Sequence, residues 1–386
     1  RFFCMMLNNS PKLKVMTVIS TRPDIIKLSE IIKELDRETN HILVHTGQNY
    51  DYELNEIFFK DLGLRKPDYF LEAVGSNPIE TVANALIKVD QVLEKEKPDA
   101  FFILGDVNGQ LTAYAAKRRK VPVFHMEAGN RSYDERLPEE VNRRIIDHIS
   151  DINMVYSDLG RQNLINEGIP LRRIIKIGTP MFEVIQKNYG KIDKSGILKK
   201  LSLKPGGYFV LSVHREENTT DESFSKIIKI ITTVAEQYDK KIIFSVHPRT
   251  KKKIDQLKIK LPQNVISMKP FGFIDYIKLQ TEAYCVLTDS GTVSEESAIL
   301  NFPAVNLREA HERNEAMDEA SVIMSGLNPE RVIQAIDLAV KQKRKKEREF
   351  FLPDGYSSDN VSKKVLRVIL SYTDYINRTV WFKKDI

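Results

Sequence analysis

The 386-residue sequence contains two cysteines, Cys4 and Cys285, which are too few for a disulfide framework and predict a reducing, cytoplasmic location. No apolar run reaches the length of a bilayer span, so a membrane partner is not expected. The apolar stretch at residues 1–10 is too short for the core of a signal peptide and is interpreted as a non-native extension.

The motifs that hold common cofactors are also missing. No apolar strand is followed by G-x-G-x-x-G and no Walker A sequence occurs, so a tightly bound nicotinamide cofactor is not indicated. The seven histidines are scattered, without metal-ligand spacing or paired cysteines. The net charge of +6 is modest, and the basic run at 341–349 is interpreted as a solvated surface rather than a nucleic-acid site. We therefore predict no cofactor, no metal and no nucleic-acid partner.

What the sequence does contain is a regular alternation of short apolar segments and amphipathic segments of helical length. Continuous apolar strands that alternate with helices predict parallel sheets covered on both faces. The alternation stops at the polar, lysine-rich residues 186–207 and then restarts. We therefore predict two Rossmann-like, doubly wound α/β domains: residues 1–185 joined by a C-terminal helix at 358–386, and residues 186–357. Strands are predicted at 15–19, 42–45, 100–104, 121–124, 152–156, 174–177, 209–213, 242–246, 265–268, 285–287 and 304–307.

Three carboxylates occupy positions where charge is costly. Asp106 and Glu127 each follow a predicted buried strand, and Glu139 opens the next helix behind Pro138. Arg143, four residues after Glu139, lies on the same helical face. Acids at strand ends beside an arginine are what proton transfer on a bound anion requires. The residues leave open the alternative that Asp106 caps a helix and that Glu139 and Arg143 form an ordinary ion pair.

Ligands of open parallel sheets bind at the carboxyl ends of the strands. The predicted strand ends carry polar residues from both halves of the chain: Arg22, His45, Asp106, Glu127, His214, Arg215, His247, Arg249, Asp289 and Ser290. This pattern predicts an active site in the cleft between the two domains.

The second half also contains a predicted anion site. Ser290 and Gly291 follow a strand and open a helix, where backbone N–H groups favour anions. Glu296, one turn later, is placed to accept ribose hydroxyls. Tyr276 is placed to stack on a base, although it equally fits the buried face of its helix. Positive charge suited to a diphosphate comes from Arg22, Lys27, Arg215 and Arg313.

Together these residues resemble the non-hydrolysing UDP-N-acetylglucosamine 2-epimerases. The resemblance runs from about Lys14 to Gly326 and rests on seven motifs in the family's order: STRPDIIKL at 20–28, LGDVNG at 104–109, HMEAGNR at 125–131, PEEVNRR at 138–144, VHREEN at 213–218, TDSGTVSEES at 288–297 and ERNEA at 312–316. It implies two Rossmann-like domains that face each other across a cleft, as in GT-B glycosyltransferases, and a homodimer.

The resemblance also implies the roles of individual residues. It implies that Asp106, Glu127, Glu139 and His214 act in catalysis. The UDP-sugar is held by a larger set, to which we add Arg215 and Asn218 as polar neighbours of His214: Arg22, Lys27, Arg143, Arg215, Asn218, Tyr276, Ser290, Gly291, Glu296 and Arg313.

The predicted reaction is reversible inversion at C2 of a UDP-2-acetamido sugar, between UDP-N-acetylglucosamine and UDP-N-acetylmannosamine. The C2 hydrogen has no adjacent carbonyl to acidify it, so UDP is eliminated to give a 2-acetamidoglycal and is then added back. Inversion needs a base and an acid on opposite faces of the sugar, which accounts for several carboxylates. No redox cofactor or metal takes part.

Six positions differ from the residues common in the family: Ser20, Asp24, Asn130, Thr292, Ser294 and Asn314 stand where Gly, Glu, Leu, Gly, Gln and Pro are usual. None of these removes a predicted acid or base. The segments at 45–59, 125–131 and 290–297 are more similar to the branch that converts UDP-2-acetamido-2,6-dideoxy-L-talose to the L-fuco sugar for capsule or O-antigen synthesis. That conversion is the alternative function. More distant alternatives are a GT-B glycosyltransferase, a hydrolysing 2-epimerase and a non-catalytic sugar-nucleotide sensor.

Overall fold

The computed structural model describes residues 12–47, 52–213, 221–310 and 312–384. The chain divides into two compact units. Unit 1 comprises Arg1–Val184 and Ser358–Ile386, and unit 2 comprises Ile185–Ser357. The chain therefore leaves unit 1, builds all of unit 2 and returns.

Unit 1 is built on a seven-stranded parallel sheet in the order β3-β2-β1-β4-β5-β6-β7. Its strands are β1 Lys14–Ile19, β2 Asn40–His45, β3 Tyr69–Phe70, β4 Ala100–Leu104, β5 Val123–Met126, β6 Ile152–Val155 and β7 Ile174–Lys176. Its helices are α1 Arg22–Glu38, α2 Tyr52–Leu62, α3 Pro78–Glu96, α4 Ala113–Arg118, α5 Pro138–Ile149, α6 Asp158–Asn166 and the first residues of α7 Met181–Asp193, with 3-10 turns at Asn108–Thr112 and Leu171–Arg173.

The order of strands in this sheet reverses at one point, and folds of this class form a crevice at the carboxyl edge beside such a reversal. Successive strands run outward from β1 in both directions, so the order reverses between β1 and β4. The pairs Val18↔Ile103 and Leu104↔Met126 align the ends of β1, β4 and β5. A ligand is expected at such a reversal. Polar residues that follow these three strands therefore lie at one edge of the sheet.

Local sequence explains where the helices begin. Asn77 caps α3, because its side chain accepts a hydrogen bond from the backbone N–H of Glu80 at 2.9 Å, and Pro78 occupies the first turn. In α1, Asp24 accepts a hydrogen bond from the backbone N–H of Thr21 at 3.0 Å, which satisfies a donor at the helix start. Strand β4 of unit 1 is apolar and buried along its whole length, as expected where helices cover both faces of a parallel sheet.

Unit 2 is built on a six-stranded parallel sheet in the order β10-β9-β8-β11-β12-β13. Its strands are β8 Tyr208–Val213, β9 Lys241–Val246, β10 Val265–Met268, β11 Cys285–Thr288, β12 Ala304–Asn306 and β13 Ile323–Met324. Its helices are α8 Ile197–Lys200, α9 Asp221–Gln237, α10 Pro248–Gln256, α11 Phe273–Glu282, α12 Val293–Leu300, α13 Asn314–Asp318 and α14 Pro329–Ala339. Each unit is thus a doubly wound α/β domain.

The last helix, α15 Val361–Thr379, packs against α1 in unit 1. Its start is fixed by Glu183, whose carboxylate accepts hydrogen bonds from the backbone N–H of Ser362 at 2.8 Å and from its hydroxyl at 2.6 Å. Both residues are buried. Across the described ranges, no helix combines the length and apolar character needed to cross a bilayer.

Two differences from the predicted elements have simple causes. Strand β5 starts at Val123, two residues later than predicted, because Pro122 has no N–H to donate within the sheet. The strand also ends two residues later than predicted, at Met126, so Glu127 follows it directly. The short strands β3 and β13 were not predicted, because two residues are too few to show a period.

Candidate active site

Glu127 lies at the carboxyl end of β5, and two side chains from the described part of the chain donate hydrogen bonds to it. Its Oε2 atom accepts hydrogen bonds from Lys27 Nζ at 2.6 Å and from the Tyr156 hydroxyl at 3.0 Å. Lys27 comes from α1, and Tyr156 follows β6 directly. The φ angle of Glu127 is +69°, a left-handed conformation that costs a non-glycine residue about 1–2 kcal/mol. Such strain persists only where the surrounding structure enforces it, and it is concentrated at functional sites.

The loop after Glu127 is fixed by a close backbone approach. A Cβ atom on Gly129 would lie 2.2 Å from the carbonyl oxygen of Gly160, so only glycine fits. The N–H of Gly129 donates to Asp147 Oδ2 at 3.2 Å, and its carbonyl accepts from Asn163 Nδ2 at 2.9 Å. The backbone that carries Glu127 therefore has little freedom to move.

Asp106 follows the neighbouring strand β4 and forms an ion pair with Arg143 of α5. Arg143 Nε and Nη2 lie 2.9 and 2.5 Å from Asp106 Oδ2. Asn142 Nδ2 donates to the Asp106 carbonyl at 2.9 Å. The next 3-10 turn is capped by Val107, so the alternative in which Asp106 caps a helix is wrong. The structure thus brings together two residues that the sequence placed 37 positions apart.

Glu139 lies in the first turn of α5, as predicted, and is half-buried. Its neighbour Glu140 is fully buried and was not among the site residues predicted from the sequence. Glu140 accepts hydrogen bonds from the Ser132 N–H and hydroxyl, both at 2.9 Å, and from Arg143 Nη1 at 3.2 Å. Burial opposes ionisation of Glu140, but these hydrogen bonds and cations hold its pKa below the usual range. The spacing of Glu140 to Arg143 and Arg144 was the signal that could have identified it.

A buried charge network lies beneath these loops. Arg131 is fully buried; its guanidinium donates to Asp147 Oδ2 at 2.8 Å and to both oxygens of Glu167 at 2.7 and 2.6 Å. His125 Nδ1 lies 2.9 Å from Asp147 Oδ1, and its Nε2 lies 2.9 Å from the Gly105 carbonyl. Burial opposes ionisation of Asp147, yet His125 and Arg131 keep its pKa low. The network joins the backbone before Asp106 to the strand before Glu127.

Asp24 is a buried carboxylate at the start of α1 that the sequence singled out only as a departure from the family. It accepts hydrogen bonds from the Ser20 and Thr21 N–H groups at 2.8 and 3.0 Å and from Gln110 Nε2 at 3.0 Å. Burial nevertheless raises its pKa to about 6, and the negative charge of Glu127 acts in the same direction. Arg22, the first residue of the same helix, is half-buried.

The raised pKa of Asp24 predicts how the free energy of unfolding depends on pH. A carboxyl whose pKa is higher in the folded state than in the unfolded chain favours folding at low pH, and this contribution is lost as pH rises through about 6. Asp24→Asn should remove that dependence. We expect the stability of the variant relative to wild type to improve by about 2 kcal/mol between pH 4 and pH 7, measured by urea unfolding. The control is Asp90→Asn, which should give the opposite and smaller trend with pH, because Arg119 lowers the pKa of Asp90. Parallel curves of stability against pH for Asp24→Asn and wild type would contradict the prediction.

In unit 2, Ser290 and Gly291 lie between β11 and α12, as predicted. The helix begins at Val293, one residue later than predicted, and Thr292 occupies its N-cap position. The Ser290 N–H donates to Thr288 Oγ1 at 3.0 Å, and the hydroxyls of Ser290 and Thr292 lie 3.0 Å apart. Two hydroxyls therefore meet at the start of a helix, where partial positive charge favours an anion.

Glu296, in the same helix, is buried and accepts a hydrogen bond from Gln280 Nε2 at 2.8 Å. Gln280 comes from α11 and was not predicted; no sequence period links the two residues. Tyr276, also on α11, packs against the apolar cluster around Val286 and Phe302, the alternative that the sequence left open. Burial raises the pKa of Tyr276 further above its usual value, so its hydroxyl stays protonated.

Arg313 is buried, and its Nε lies 3.5 Å from Glu295 Oε2. The positive charge of Arg313, predicted to face the diphosphate, is therefore partly balanced by Glu295. Three predicted site residues, His214, Arg215 and Asn218, lie outside the described residues and stay predictions. Within the described ranges no group of three or more His, Cys, Asp or Glu side chains could hold a metal ion.

Comparison with known proteins gives this geometry a context. A structure of UDP-N-acetylglucosamine 2-epimerase from Rickettsia bellii is 50% identical, with a TM-score of 0.90, over 96% of this chain and 100% of that one. The Methanocaldococcus jannaschii UDP-GlcNAc 2-epimerase, solved in complex with UDP-GlcNAc and UDP, is 34% identical, with a TM-score of 0.86, over 93% of this chain and 100% of that one. These likenesses confirm the predicted GT-B-like fold class.

Comparison of amino-acid sequences agrees with the structural comparison. The UDP-N-acetylglucosamine 2-epimerase of Methanococcus maripaludis is 36% identical over 340 residues, which is 86% of this chain and 93% of the relative. The pattern of the Epimerase_2 family, described as UDP-N-acetylglucosamine 2-epimerase, matches residues 33–370. The strand-end carboxylates thus occur in a chain that belongs to the UDP-N-acetylglucosamine 2-epimerase family of isomerases.

Proposed function

We propose that this protein reversibly inverts C2 of a UDP-2-acetamido sugar and interconverts UDP-N-acetylglucosamine and UDP-N-acetylmannosamine. The observation that carries the proposal is the position of Asp106 and Glu127 at the ends of the adjacent strands β4 and β5, each in an ion pair. Family membership supports the same activity. The two carboxylates come from one sheet edge, where a ligand of this fold binds.

The reaction proceeds by elimination and re-addition. A carboxylate takes the C2 proton, the electrons of the C2–H bond form the C1=C2 double bond, and the C1–O bond breaks with its electrons leaving on UDP. An acid then delivers a proton to the opposite face of C2 while a phosphate oxygen of UDP attacks C1. Positioned acids and bases of this kind contribute about 10²–10⁴-fold each to the rate. The positive charge of Arg143, which the sequence resemblance assigns to the UDP-sugar, is suited to stabilise the leaving diphosphate.

Proton NMR of the enzyme with UDP-N-acetylglucosamine in D2O, without an acceptor, tests the proposal. We expect deuterium at C2 while the sugar remains linked to UDP at equilibrium. Irreversible release of free UDP and free sugar would indicate a hydrolysing epimerase. No reaction until an acceptor is added would indicate a glycosyltransferase.

The second candidate substrate is UDP-2-acetamido-2,6-dideoxy-L-talose, favoured by the similarity of residues 45–59, 125–131 and 290–297 to the L-fuco branch. The same NMR experiment with this nucleotide distinguishes the two sugars. Either product would serve bacterial surface polysaccharide synthesis in the cytoplasm.

The proposal includes a homodimer, which the sequence resemblance implied. Helices α3, α4 and α5 of unit 1 contact in series and expose the apolar side chains of Ile87, Tyr114, Val141 and Ile145. Exposed apolar side chains on neighbouring helices are suited to an association surface, and a twofold axis pairs such a face with itself. Light scattering should give twice the chain mass of 44.5 kDa; a monomer at micromolar concentration would contradict the proposal.

A further inference from the structure

We infer that Lys27 and Tyr156 are positioning residues for Glu127, and that Lys27 acts on this carboxylate rather than on the diphosphate of the substrate. The inference rests on the proposed function, because it assumes that Glu127 exchanges a proton with C2. It changes the role that the sequence resemblance implied for Lys27, and it gives a role to Tyr156, which the sequence did not single out.

The first argument is the geometry of the three side chains. Lys27 Nζ and the Tyr156 hydroxyl reach the same oxygen of Glu127, Oε2, at 2.6 and 3.0 Å. The ammonium also lies 5.8 Å from the centroid of the Tyr156 ring. The three residues come from α1, the end of β5 and the end of β6, and Lys27 and Glu127 are 100 positions apart. Separate elements of the fold thus converge on one carboxylate oxygen.

The second argument is burial. The Lys27 side chain is 3% exposed, whereas the Glu127 side chain is 10% exposed. Tyr156 as a whole residue is 1% exposed. A cation that binds a substrate phosphate has to present its ammonium to the ligand. Here the carboxylate is the more accessible member of the group, and the lysine and tyrosine lie behind it. The order of exposure fits a reacting carboxylate supported by two buried donors.

The third argument concerns the side chain of Glu127. The left-handed backbone and the close contact at Gly129 fix the main chain, but a glutamate side chain still has three rotatable bonds. Hydrogen bonds to Oε2 restrain these bonds, and a well-aimed base gains rate from such orientation. The lysine charge also favours the ionised carboxylate, so a proton taken from C2 is returned readily. Return of the proton is required in a reversible reaction.

Charged groups other than Lys27 also influence the ionisation of Glu127, some favouring it and others opposing it. Asp24, from the same helix as Lys27, carries negative charge that disfavours ionisation of Glu127. Asp106 and Arg143 form an ion pair at the end of the neighbouring strand β4. Lys27 is in direct contact with Glu127, and a contact between opposite charges outweighs the more distant influences. Removing Lys27 should therefore leave a carboxylate that is harder to ionise.

The pH dependence of C2 deuterium exchange tests this inference. For Lys27→Met we expect the midpoint of the acid limb of kcat/KM to rise by about one to three pH units, because an opposite charge in contact is lost. KM for UDP-N-acetylglucosamine should change by less than about threefold, since no contact with the diphosphate is removed. Lys27→Arg, which keeps the charge, should retain the wild-type midpoint. The control is Lys33→Met on the same helix, which loses only a surface contact with Glu30.

Tyr156→Phe tests the second donor without a change of charge. We expect the midpoint of the acid limb of kcat/KM to rise in this variant, but by less than in Lys27→Met, because only a neutral hydrogen bond to the carboxylate is lost. Tyr69→Phe is the matched control, since the Tyr69 hydroxyl donates to Glu96 at 2.6 Å outside the site. This pair of variants keeps the inference testable if Lys27→Met fails to fold.

A readout that does not need turnover separates this inference from the proposed function. In protein labelled with 13C at the glutamate carboxyl, the signal of Glu127 is assigned by its loss in Glu127→Gln, and its titration midpoint should rise in Lys27→Met. A large increase in KM with unchanged acid limb and titration midpoint would overturn the inference and restore Lys27 as a diphosphate ligand. Absence of C2 exchange in the wild type would refute the proposed function, while the carboxyl titration would still report on Lys27.

Discussion

Asp106→Asn is expected to lower the rate of C2 deuterium exchange by about 10²–10⁴-fold. The amide cannot accept a proton, yet it keeps the size of the side chain and an oxygen for Arg143, which lies 2.5 Å from Asp106 Oδ2. The loss should therefore fall on kcat rather than on folding. NMR in D2O measures exchange, and a thermal unfolding curve checks that the variant is folded.

The control for Asp106→Asn lies at the opposite end of the same strand. Asp99 precedes β4 at its amino end and accepts a hydrogen bond from the Lys14 N–H at 2.7 Å. Asp99→Asn should exchange C2 at close to the wild-type rate, because ligands bind at the carboxyl edge of a parallel sheet. Full exchange by Asp106→Asn would remove this residue from the proposed mechanism and leave Glu127 and Glu139 as the candidate acid and base.

Arg131→Met is expected to destabilise unit 1 by about 3–5 kcal/mol, because removing one partner of a buried ion pair leaves the other charge uncompensated. Asp147 would lose its guanidinium partner, and Glu167 would lose two hydrogen bonds. The single tryptophan, Trp381, belongs to unit 1, and Lys117 Nζ lies 4.9 Å from its ring. Tryptophan fluorescence during urea unfolding therefore reports on the unit that carries the change.

Arg119→Met provides the comparison for this variant. Arg119 pairs with Asp90 at the surface of unit 1, where ion pairs contribute at most about 1 kcal/mol. Equal losses of stability in the two variants would show that the network around Arg131 contributes no more than a surface pair. A loss confined to Arg131→Met would support the interpretation that this network fixes the loops before Asp106 and Glu127.

Much of the fold could be predicted because the sheets are parallel and buried. A strand covered on both faces is apolar throughout, so β4 and the strands like it are visible as uninterrupted runs. Parallel strands also place their carboxyl ends at one edge, which is why Asp106 and Glu127 could be expected close together from the sequence. Strand limits were less accurate: β5 begins after Pro122, a residue inside the predicted strand.

The partners of the site residues could not be predicted in the same way. The contact of Lys27 with Glu127 joins positions 100 apart and depends on how α1 packs near the end of β5. Helical period indicates which residues share a face with Arg143, but two adjacent glutamates, Glu139 and Glu140, both satisfy it within one turn. Only packing determines that Glu140 is the buried one. Gln280 reaches Glu296 from another helix and leaves no signal in the sequence.

The return of the chain to unit 1 has a consequence for biosynthesis. The ribosome makes Ile185–Ser357 completely before it makes α15, the helix that packs against α1 and whose Ser362 binds Glu183. Domains generally fold as units while the chain emerges, so unit 2, although second in the sequence, is the first to have all its residues available. Until then the face of α1 that receives α15 stays uncovered on the nascent chain. We therefore expect unit 1 to complete its folding after unit 2.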